Sequence, residues 1–214
     1  MVTQNPIVKP LLRGHFHQAA FFIAVGACSM LIANATGPLA IAATIIYSIS
    51  LMGLLGISAL YHRPQWQPHQ RMWMRRLDHA AIFMLIAGTC TPLCLKMTPI
   101  QSGQTLLIMV WIAAGAGILQ SLFWVNAPKW LAALLYIIVG WLAAPYLPEL
   151  SQLIGTSGVA LLMIGGVIYT IGAVVYALKK PNPFPKVFGY HEIFHLLVVI
   201  AAIFHFIVIV QITS

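Results

Sequence analysis

The stretch between Arg13 and Arg63 contains no Asp, Glu, Lys or Arg, and this long uncharged run constrains the fold more than any other feature of the chain. A helix needs about 20 predominantly apolar residues to cross the hydrocarbon core of a bilayer. The run is long enough for two such helices, with a break at residues 34–38 that contains Gly37 and Pro38. Further uncharged runs cover 79–95, 97–128, 130–148, 150–178 and 193–214. The sequence therefore predicts an all-α, polytopic membrane protein.

Composition agrees with this class of protein. Hydrophobic residues make up 61% of the 214 residues and charged residues only 7%, whereas soluble domains carry about 25% charged residues. Transmembrane helices are predicted at 17–34, 38–61, 78–96, 104–125, 130–148, 153–177 and 191–212. We therefore expect a short N-terminal segment, 1–16, followed by one seven-helix bundle, 17–214, with short loops.

The positions of the basic residues predict the orientation of the bundle. Of the 11 Lys and Arg residues, all except Lys96 lie before the first span or in alternate loops between spans. Cytoplasmic loops of membrane proteins carry an excess of Lys and Arg. The N-terminus is therefore predicted in the cytoplasm and the C-terminus outside. The same distribution accounts for the net charge of +8 without a nucleic-acid partner.

Four ionisable residues are predicted to meet at the cytoplasmic ends of their helices. His62 ends the second span, Asp78 begins the third, and His191 and His195 begin the seventh. Ionisable side chains inside a membrane cost free energy and usually mark a functional site. Because His191 and His195 are four residues apart, both imidazoles project from one face of the helix.

These residues predict a metal site. Three histidines with one open position form the ligand set of a catalytic zinc ion, and His62, His191 and His195 are the candidate ligands. Asp78 is then placed to hold a metal-bound water or to accept the second N–H of a ligand histidine. Ser58 lies one turn deeper than His62 on the second span.

The remaining histidines are interpreted as having no part in this site. The position of some of them near a predicted membrane interface suggests hydrated, amphipathic side chains: His15, His17, His69 and His79. His205 lies about 15 Å deeper than His195 along the helix, and a hydrogen bond within the bundle is expected there. Glu149 is interpreted as an interfacial residue at the outer end of the fifth span.

The stretch HEIFH at 191–195 also matches the H-E-x-x-H pattern of zinc metalloproteases. A soluble protease of this type takes its third ligand from further downstream, where no Asp or Glu follows Glu192 and His205 is poorly placed. Intramembrane metalloproteases take an Asp from another span, and Asp78 keeps that alternative open, although the order of the two motifs along the chain is unusual for it.

Three stretches resemble the hemolysin III family, the bacterial branch of the progestin and adipoQ receptor (PAQR) superfamily: SALYH (58–62), LDHAAIFMLIAGTCTP (77–92) and HEIFHLLVVIAAIFHF (191–206). The resemblance covers nearly the whole chain and implies a multi-pass protein of the bacterial inner membrane. It implies zinc bound by the three candidate histidines, with Asp78 near the zinc-bound water and Ser58 beside it. Glu192 is interpreted as incidental, because the residues between the two histidines vary in this family. One departure is Arg13, which stands where the receptors often carry Asn ahead of the His that matches His17.

The superfamily is related to a wider group that includes alkaline ceramidases, which suggests an activity. The leading hypothesis is a zinc-dependent hydrolase of lipid amide or ester bonds at the cytoplasmic side, with Asp78 as general base and a membrane lipid as substrate. A non-enzymatic receptor or regulator with a structural zinc site is the second hypothesis. Pore formation, suggested by the name of the family, is a third. The sequence leaves the substrate and the oligomeric state open.

Overall fold

The structure is a computed structural model that describes residues 9–97 and 101–213. Within these residues it contains α1 (His15–Asn34), α2 (Pro38–His62), α3 (Pro68–Lys96), α4 (Gln101–Phe123), α5 (Lys129–Gly140), α6 (Leu147–Leu178) and α7 (Tyr190–Thr213). An isolated bridge between Phe184 and Phe188 is the only β-type pairing in the described part of the chain. Six helical stretches there are long and apolar enough to cross a membrane, with 129–178 counted as one. The prediction of an all-α, polytopic membrane protein is confirmed.

The α3 helix lies at the centre of the bundle. Every residue from Ala87 to Cys94 is buried, so other helices surround α3 at this depth, with α2 and α4 as its main neighbours. At Gly88, a Cβ atom would lie 2.2 Å from the Ser50 hydroxyl oxygen of α2, so a larger residue would force the two helices apart. Large apolar side chains on outer helices, such as Ile23 and Ile112, are exposed, as expected for a surface that contacts lipid.

The predicted fifth span, 130–148, forms a shorter α-helix than expected. α5 ends at Gly140, and a short 3-10 helix, Ala144–Tyr146, precedes α6. Pro145 explains the break, because proline has no amide hydrogen to donate to the carbonyl of Trp141 and its ring would clash with that carbonyl. The prediction placed the apolar segment correctly, but it did not include the division into α5 and a 3-10 helix.

The sixth helix also differs from the prediction. α6 begins at Leu147 rather than at 153, and it bends at Gly155, whose φ of 70° is readily accessible only to glycine. Glu149, expected at the end of the fifth span, lies in the first turn of α6. There its carboxylate accepts a hydrogen bond from the Ser102 hydroxyl of α4.

The third helix begins earlier than predicted, at Pro68 rather than at Asp78. Gln67 and Gln70 form a capping box, and Pro68 occupies the first turn, where its missing amide hydrogen has no cost. The basic residues expected in a loop therefore lie on a helix: Arg71, Arg75 and Arg76. Arg71 and Arg75 are four residues apart and so share one face of α3.

Part of the predicted N-terminal segment, 1–16, can be compared with the structure. Residues 1–8 lie outside the described residues, and α1 begins at His15, inside the predicted segment. Residues 9–14, which precede α1, run along the loop before α7. The Leu11 amide donates to the Lys186 carbonyl at 2.9 Å, and the Leu12 amide donates to the Val187 carbonyl at 3.1 Å. The segment is therefore packed against the bundle.

Candidate metal centre

The three predicted ligand histidines lie together in the structure. His62 is the last residue of α2, and His191 and His195 lie on the first turns of α7. All three are buried. The ring centroids are 4.7 Å apart for His62 and His191, 4.9 Å for His62 and His195, and 4.6 Å for His191 and His195. The sequence-based expectation that these residues meet is therefore correct, and the cluster could hold a metal ion.

The geometry of the cluster fits a metal ion. Each ring offers one nitrogen such that all three nitrogens lie within 4.8 Å of one another, and Nε2 of His191 is 3.1 Å from Nε2 of His62. A tetrahedral ion with Zn–N bonds of 2.0–2.1 Å places two ligand nitrogens about 3.3 Å apart. Nδ1 of His195 is buried without a hydrogen-bond partner, whereas buried polar atoms normally have one. The donor set and its spacing therefore fit those of a metal site.

Asp78 and Ser58 lie beside the histidines, as the sequence predicted. Both are buried, with 9% of Asp78 and 2% of Ser58 exposed. Ser58 and Asp78 line the same cavity, where the Ser58 hydroxyl lies close enough to the Asp78 carboxyl group to donate a hydrogen bond to it. Asp78 also lies 3.7 Å from Nδ1 of its neighbour His79. The side chains from α2 and α3 thus place one carboxyl group and one hydroxyl group next to the metal-binding face of α7.

His17 was interpreted as a hydrated interfacial residue, and that interpretation is wrong. Its side chain is 2% exposed and stacks on His195, with ring centroids 3.9 Å apart and an angle of 5° between the rings. Neither ring nitrogen has a hydrogen-bond partner. His17 begins the first predicted span at the same end of the bundle as His62, so its position along the helix could have indicated that it lies near the cluster. Because the rings lie face to face, His17 fixes the orientation of the His195 imidazole.

Glu192 was interpreted as incidental to the metal site, and it lies outside the three-histidine cluster, but the structure gives it a contact of its own. Glu192 is 1% exposed and forms an ion pair with Arg13. Its Oε1 accepts a hydrogen bond from Nε of Arg13, and its Oε2 accepts one from the Gly189 amide at 2.8 Å. Arg13, the departure from the receptor pattern, therefore supplies the partner of this acid. The pair ties the N-terminal segment to the start of α7, where His191 lies.

Removing Arg13 should destabilise the protein. Arg13→Ala leaves the Glu192 carboxylate buried without a cationic partner, which costs about 3–5 kcal/mol for a fully buried pair. Since Arg13 is 22% exposed, we expect about 2–3 kcal/mol, measured by unfolding of the detergent-solubilised protein. Adding Glu192→Gln should restore part of this loss. Arg63→Ala, which removes an exposed arginine at the same end of the bundle, should change stability by less than about 0.5 kcal/mol. If Arg13→Ala and Arg63→Ala lowered the stability equally, the ion pair between Arg13 and Glu192 would not have the stabilising role described.

The other histidines lie outside the cluster. Nε2 of His205 is 3.1 Å from the Leu162 carbonyl, which agrees with the predicted hydrogen bond within the bundle. His15 interacts with Arg63. His79 is half-buried, and its Nδ1 is 2.8 Å from the Arg75 carbonyl.

Two cavities meet at the site. An apolar cavity of about 130 Å³ begins at Ser58, Asp78 and His195 and extends along the helices to Trp141 and His205. His205 lies about 15 Å beyond His195 along α7, so this cavity runs deep into the bundle. A larger and more polar cavity of about 500 Å³ lies on the other side, where His62, His191 and Asp78 line its wall. Asp78 borders both cavities.

The fold and the cluster together define a class of protein. The chain is an all-α, polytopic membrane protein with three buried histidines that could hold a metal ion at one end of its bundle. The family model described as Haemolysin-III related matches residues 5–206. The chain therefore belongs to the haemolysin-III-related family, which confirms the resemblance seen in its sequence.

Individual relatives agree with this assignment. The chain is similar to Hemolysin-3 of Bacillus cereus, with 35% identity over 159 residues, which cover 74% of this chain and 69% of the relative. It is 33% identical to the Hemolysin-3 homolog of Bacillus subtilis (strain 168) over 153 residues, or 72% of this chain and 68% of the relative. A more distant similarity, 26% over 170 residues, links it to the human Monocyte to macrophage differentiation factor, with 75% and 66% of the two chains covered.

Proposed function

We propose that this protein is a zinc-dependent hydrolase of lipid amide or ester bonds, acting at the cytoplasmic side of the bacterial inner membrane. The observation that carries the proposal is the position of Asp78. This carboxyl group lies beside the three-histidine cluster, at the point where an apolar cavity meets a polar one. A lipid with its chain in the apolar cavity and its head in the polar cavity would present the bond between them to Asp78 and the cluster.

The proposal includes seven membrane crossings with the N-terminus in the cytoplasm. The stretch 129–178 contains 50 residues, which would span about 75 Å as one straight helix, whereas the bilayer core is about 30 Å thick. The chain breaks at 141–146, so residues 129–146, of which only 129–140 are α-helical, would form one crossing and α6 the next. An odd number of crossings places the termini on opposite sides, and the Lys and Arg distribution favours a cytoplasmic N-terminus. A reporter enzyme that functions only outside the cytoplasm should be active when fused after residue 214.

The residues of this chain have distinct roles in the proposed reaction. His62, His191 and His195 would hold zinc, which when bound polarises a carbonyl group and lowers the pKa of a water molecule to about 7. The Asp78 carboxylate would accept a proton from the attacking water and later donate it to the leaving group. The Ser58 hydroxyl donates a hydrogen bond to Asp78 and so orients the carboxylate. The apolar side chains beyond Ser58 would bind the acyl chain and exclude bulk water.

A lipid panel tests the proposal directly. The purified, zinc-loaded protein should release fatty acid from at least one ceramide or acylated phospholipid, and prior treatment with a chelator should stop the release. Fatty acid would be measured by mass spectrometry against protein inactivated by heat. Protein that contains one zinc ion per chain and releases no fatty acid from the whole panel would contradict hydrolysis.

A non-enzymatic receptor or regulator is the second candidate, and one observation favours it. The candidate ligands come from α2 and α7, and Asp78 comes from α3. A bound metal would therefore hold the ends of separate helices together even if no reaction took place. Substitution of Asp78 separates the two candidates, because only a hydrolase needs its carboxylate for a reaction.

A further inference from the structure

The polar cavity beside the cluster has a strongly cationic wall. We call this cavity of about 500 Å³ the basic vestibule, and four cationic side chains line it: Arg13, Arg71, Arg75 and Lys129. Asp78 is the one carboxyl group among its lining residues. Two of the arginines lie on the same face of α3, and Lys129 begins α5. Three separate segments of the chain thus direct positive charge into one space next to the proposed reaction site.

Three of these cations form no ion pair with a carboxylate in the described part of the chain. The chain contains only three acids: Glu192 pairs with Arg13, and Glu149 contacts Ser102 at the start of α4. The remaining acid, Asp78, lies 3.7 Å from His79. Among the described residues, no carboxylate oxygen lies within 4.0 Å of Arg71, Arg75 or Lys129. Asp78 interacts electrostatically with Arg75 and can balance one of the three charges, so the vestibule carries a net positive charge.

Neutral groups hold these three cations in place instead. Nη1 of Arg75 donates to Oδ1 of Asn126 at 3.4 Å. Nζ of Lys129 donates to the Tyr190 hydroxyl at 3.1 Å and lies 4.6 Å from the centre of the Tyr176 ring. The Arg71 guanidinium lies 5.9 Å from the Tyr61 ring centre. Membrane orientation requires positive charge on this side of the bilayer, but it does not require that the charges surround one cavity.

We propose that the basic vestibule binds a phosphate-bearing headgroup, so that the substrate is an anionic acyl lipid. This inference rests on the proposed hydrolase function and specifies its substrate class. A phosphate group offers several acceptor oxygens and up to two negative charges, which match the forked donors of two arginines and the ammonium of a lysine. A cleft lined by charges of one sign and enclosed by protein concentrates the field and raises the local concentration of such a ligand.

The two cavities fit the two ends of this lipid. The phosphate occupies the basic vestibule, the acyl chain enters the apolar cavity beyond Ser58, and the acyl carbonyl lies at Asp78 between them. Hydrolysis breaks the C–O or C–N bond at this carbonyl. The hydroxyl of water joins the acyl carbon and a proton goes to the departing oxygen or nitrogen, which yields a fatty acid and a phosphate-bearing alcohol or amine.

The test uses two lipids that cannot be hydrolysed and differ only in the phosphate: 1-O-hexadecylglycerol and 1-O-hexadecylglycerol 3-phosphate. Binding to the zinc-loaded protein in micelles of a phosphate-free, uncharged maltoside detergent should favour the phosphate-bearing lipid by about tenfold or more, the factor expected from one retained charge-assisted hydrogen bond. Arg71→Gln with Arg75→Gln should reduce the preference to about threefold or less. The matched control is Arg76→Gln, which removes a charge from the same helix outside the vestibule and should keep the preference.

The possible outcomes distinguish failure of the proposed headgroup site from failure of the proposed hydrolase function. Equal affinity of the wild type for both lipids, or a preference that survives the double substitution, overturns the headgroup site even if the protein hydrolyses neutral lipids. A preference that depends on Arg71 and Arg75 supports the site even if no lipid is cleaved. Inorganic phosphate that binds as tightly as the lipid phosphate would identify free phosphate as the ligand and overturn a lipid substrate.

A second measurement covers the case in which the double variant does not fold. In the wild type, the affinity for the phosphate-bearing lipid should fall as salt is raised, because salt screens accessible charges. The affinity for the neutral lipid should remain constant. Parallel behaviour of the two lipids would overturn the proposal.

Discussion

His191→Ala is expected to abolish metal binding and lipid hydrolysis together. The substitution removes one of three nitrogens that lie within 4.8 Å of one another. The nearest acid on α7, Glu192, cannot replace it, because its carboxylate is already held by Arg13 and by the Gly189 amide. Even residues that only support a metal ligand change metal affinity by about 10–100-fold, so loss of a ligand should reduce affinity by more than about a hundredfold. Metal analysis of the purified protein should give one zinc per wild-type chain and close to none for the variant.

His62→Ala is also expected to abolish metal binding. His62 lies on α2 and His191 on α7, and both belong to the same three-histidine cluster. Equal loss in both variants would establish a site between α2 and α7, and retention of one zinc per chain by either variant would contradict it. His205→Gln is a suitable control, because it replaces a buried histidine on the same helix and keeps an amide that can donate to Leu162. This control should retain the metal.

A thermal measurement excludes simple misfolding as the cause. A metal that binds only the folded state stabilises it, so a chelator should lower the melting temperature of the wild type. The same chelator should leave the melting temperature of His191→Ala unchanged, since that variant has no metal to lose. A chelator-dependent shift in the variant would show that it still binds the ion.

The histidine cluster could be predicted from the sequence because its residues lie where uncharged runs begin or end, even though several helix ends differ from the prediction. Uncharged runs give the limits of each span, and the distribution of Lys and Arg gives its direction. Together they place His62, Asp78, His191 and His195 at one depth. The four-residue spacing of the two histidines on α7 then fixes their common face.

The contacts of His17 and Glu192 could not be predicted in the same way. The sequence gives the depth of each side chain, but the rotation of a helix about its axis depends on packing. α1 and α7 are far apart in the chain, and only their contact in the fold brings His17 onto His195. Glu192 meets Arg13 because residues 9–14 fold back along the loop before α7.

The basic vestibule could not be predicted from the sequence either. Arg71 and Arg75 were expected in a loop, where their side chains would have no common direction. The capping box at Gln67 extends α3 by several turns, and the helix then directs both arginines to the same face. α3 is longer than predicted, whereas α5 is shorter. Hydrophobicity alone predicted that α5 would continue to residue 148, but Pro145 interrupts the helix.

Asp78→Asn is expected to abolish hydrolysis while leaving the metal in place. The amide keeps the size of the side chain and a hydrogen-bonding oxygen for Ser58, but it cannot accept a proton from water. General base catalysis contributes about 10²–10⁴-fold, so kcat should fall by this factor. The zinc content and the affinity for 1-O-hexadecylglycerol should change little, because neither depends on proton transfer at Asp78. The affinity for the phosphate-bearing ether lipid should not fall, because the substitution removes a negative charge from the vestibule wall.

The Asp78→Asn result also decides between an enzyme and a structural zinc site. Glu149→Gln is the matched control, since it makes the same chemical change at a carboxyl group that borders neither cavity, and it should retain full activity. In a receptor or regulator, zinc would only hold the helix ends together, and Asp78→Asn with its metal retained would keep full cellular function. A loss of kcat with metal, fold and lipid affinity preserved has no explanation in a purely structural site. That combination would therefore assign Asp78 to the reaction itself.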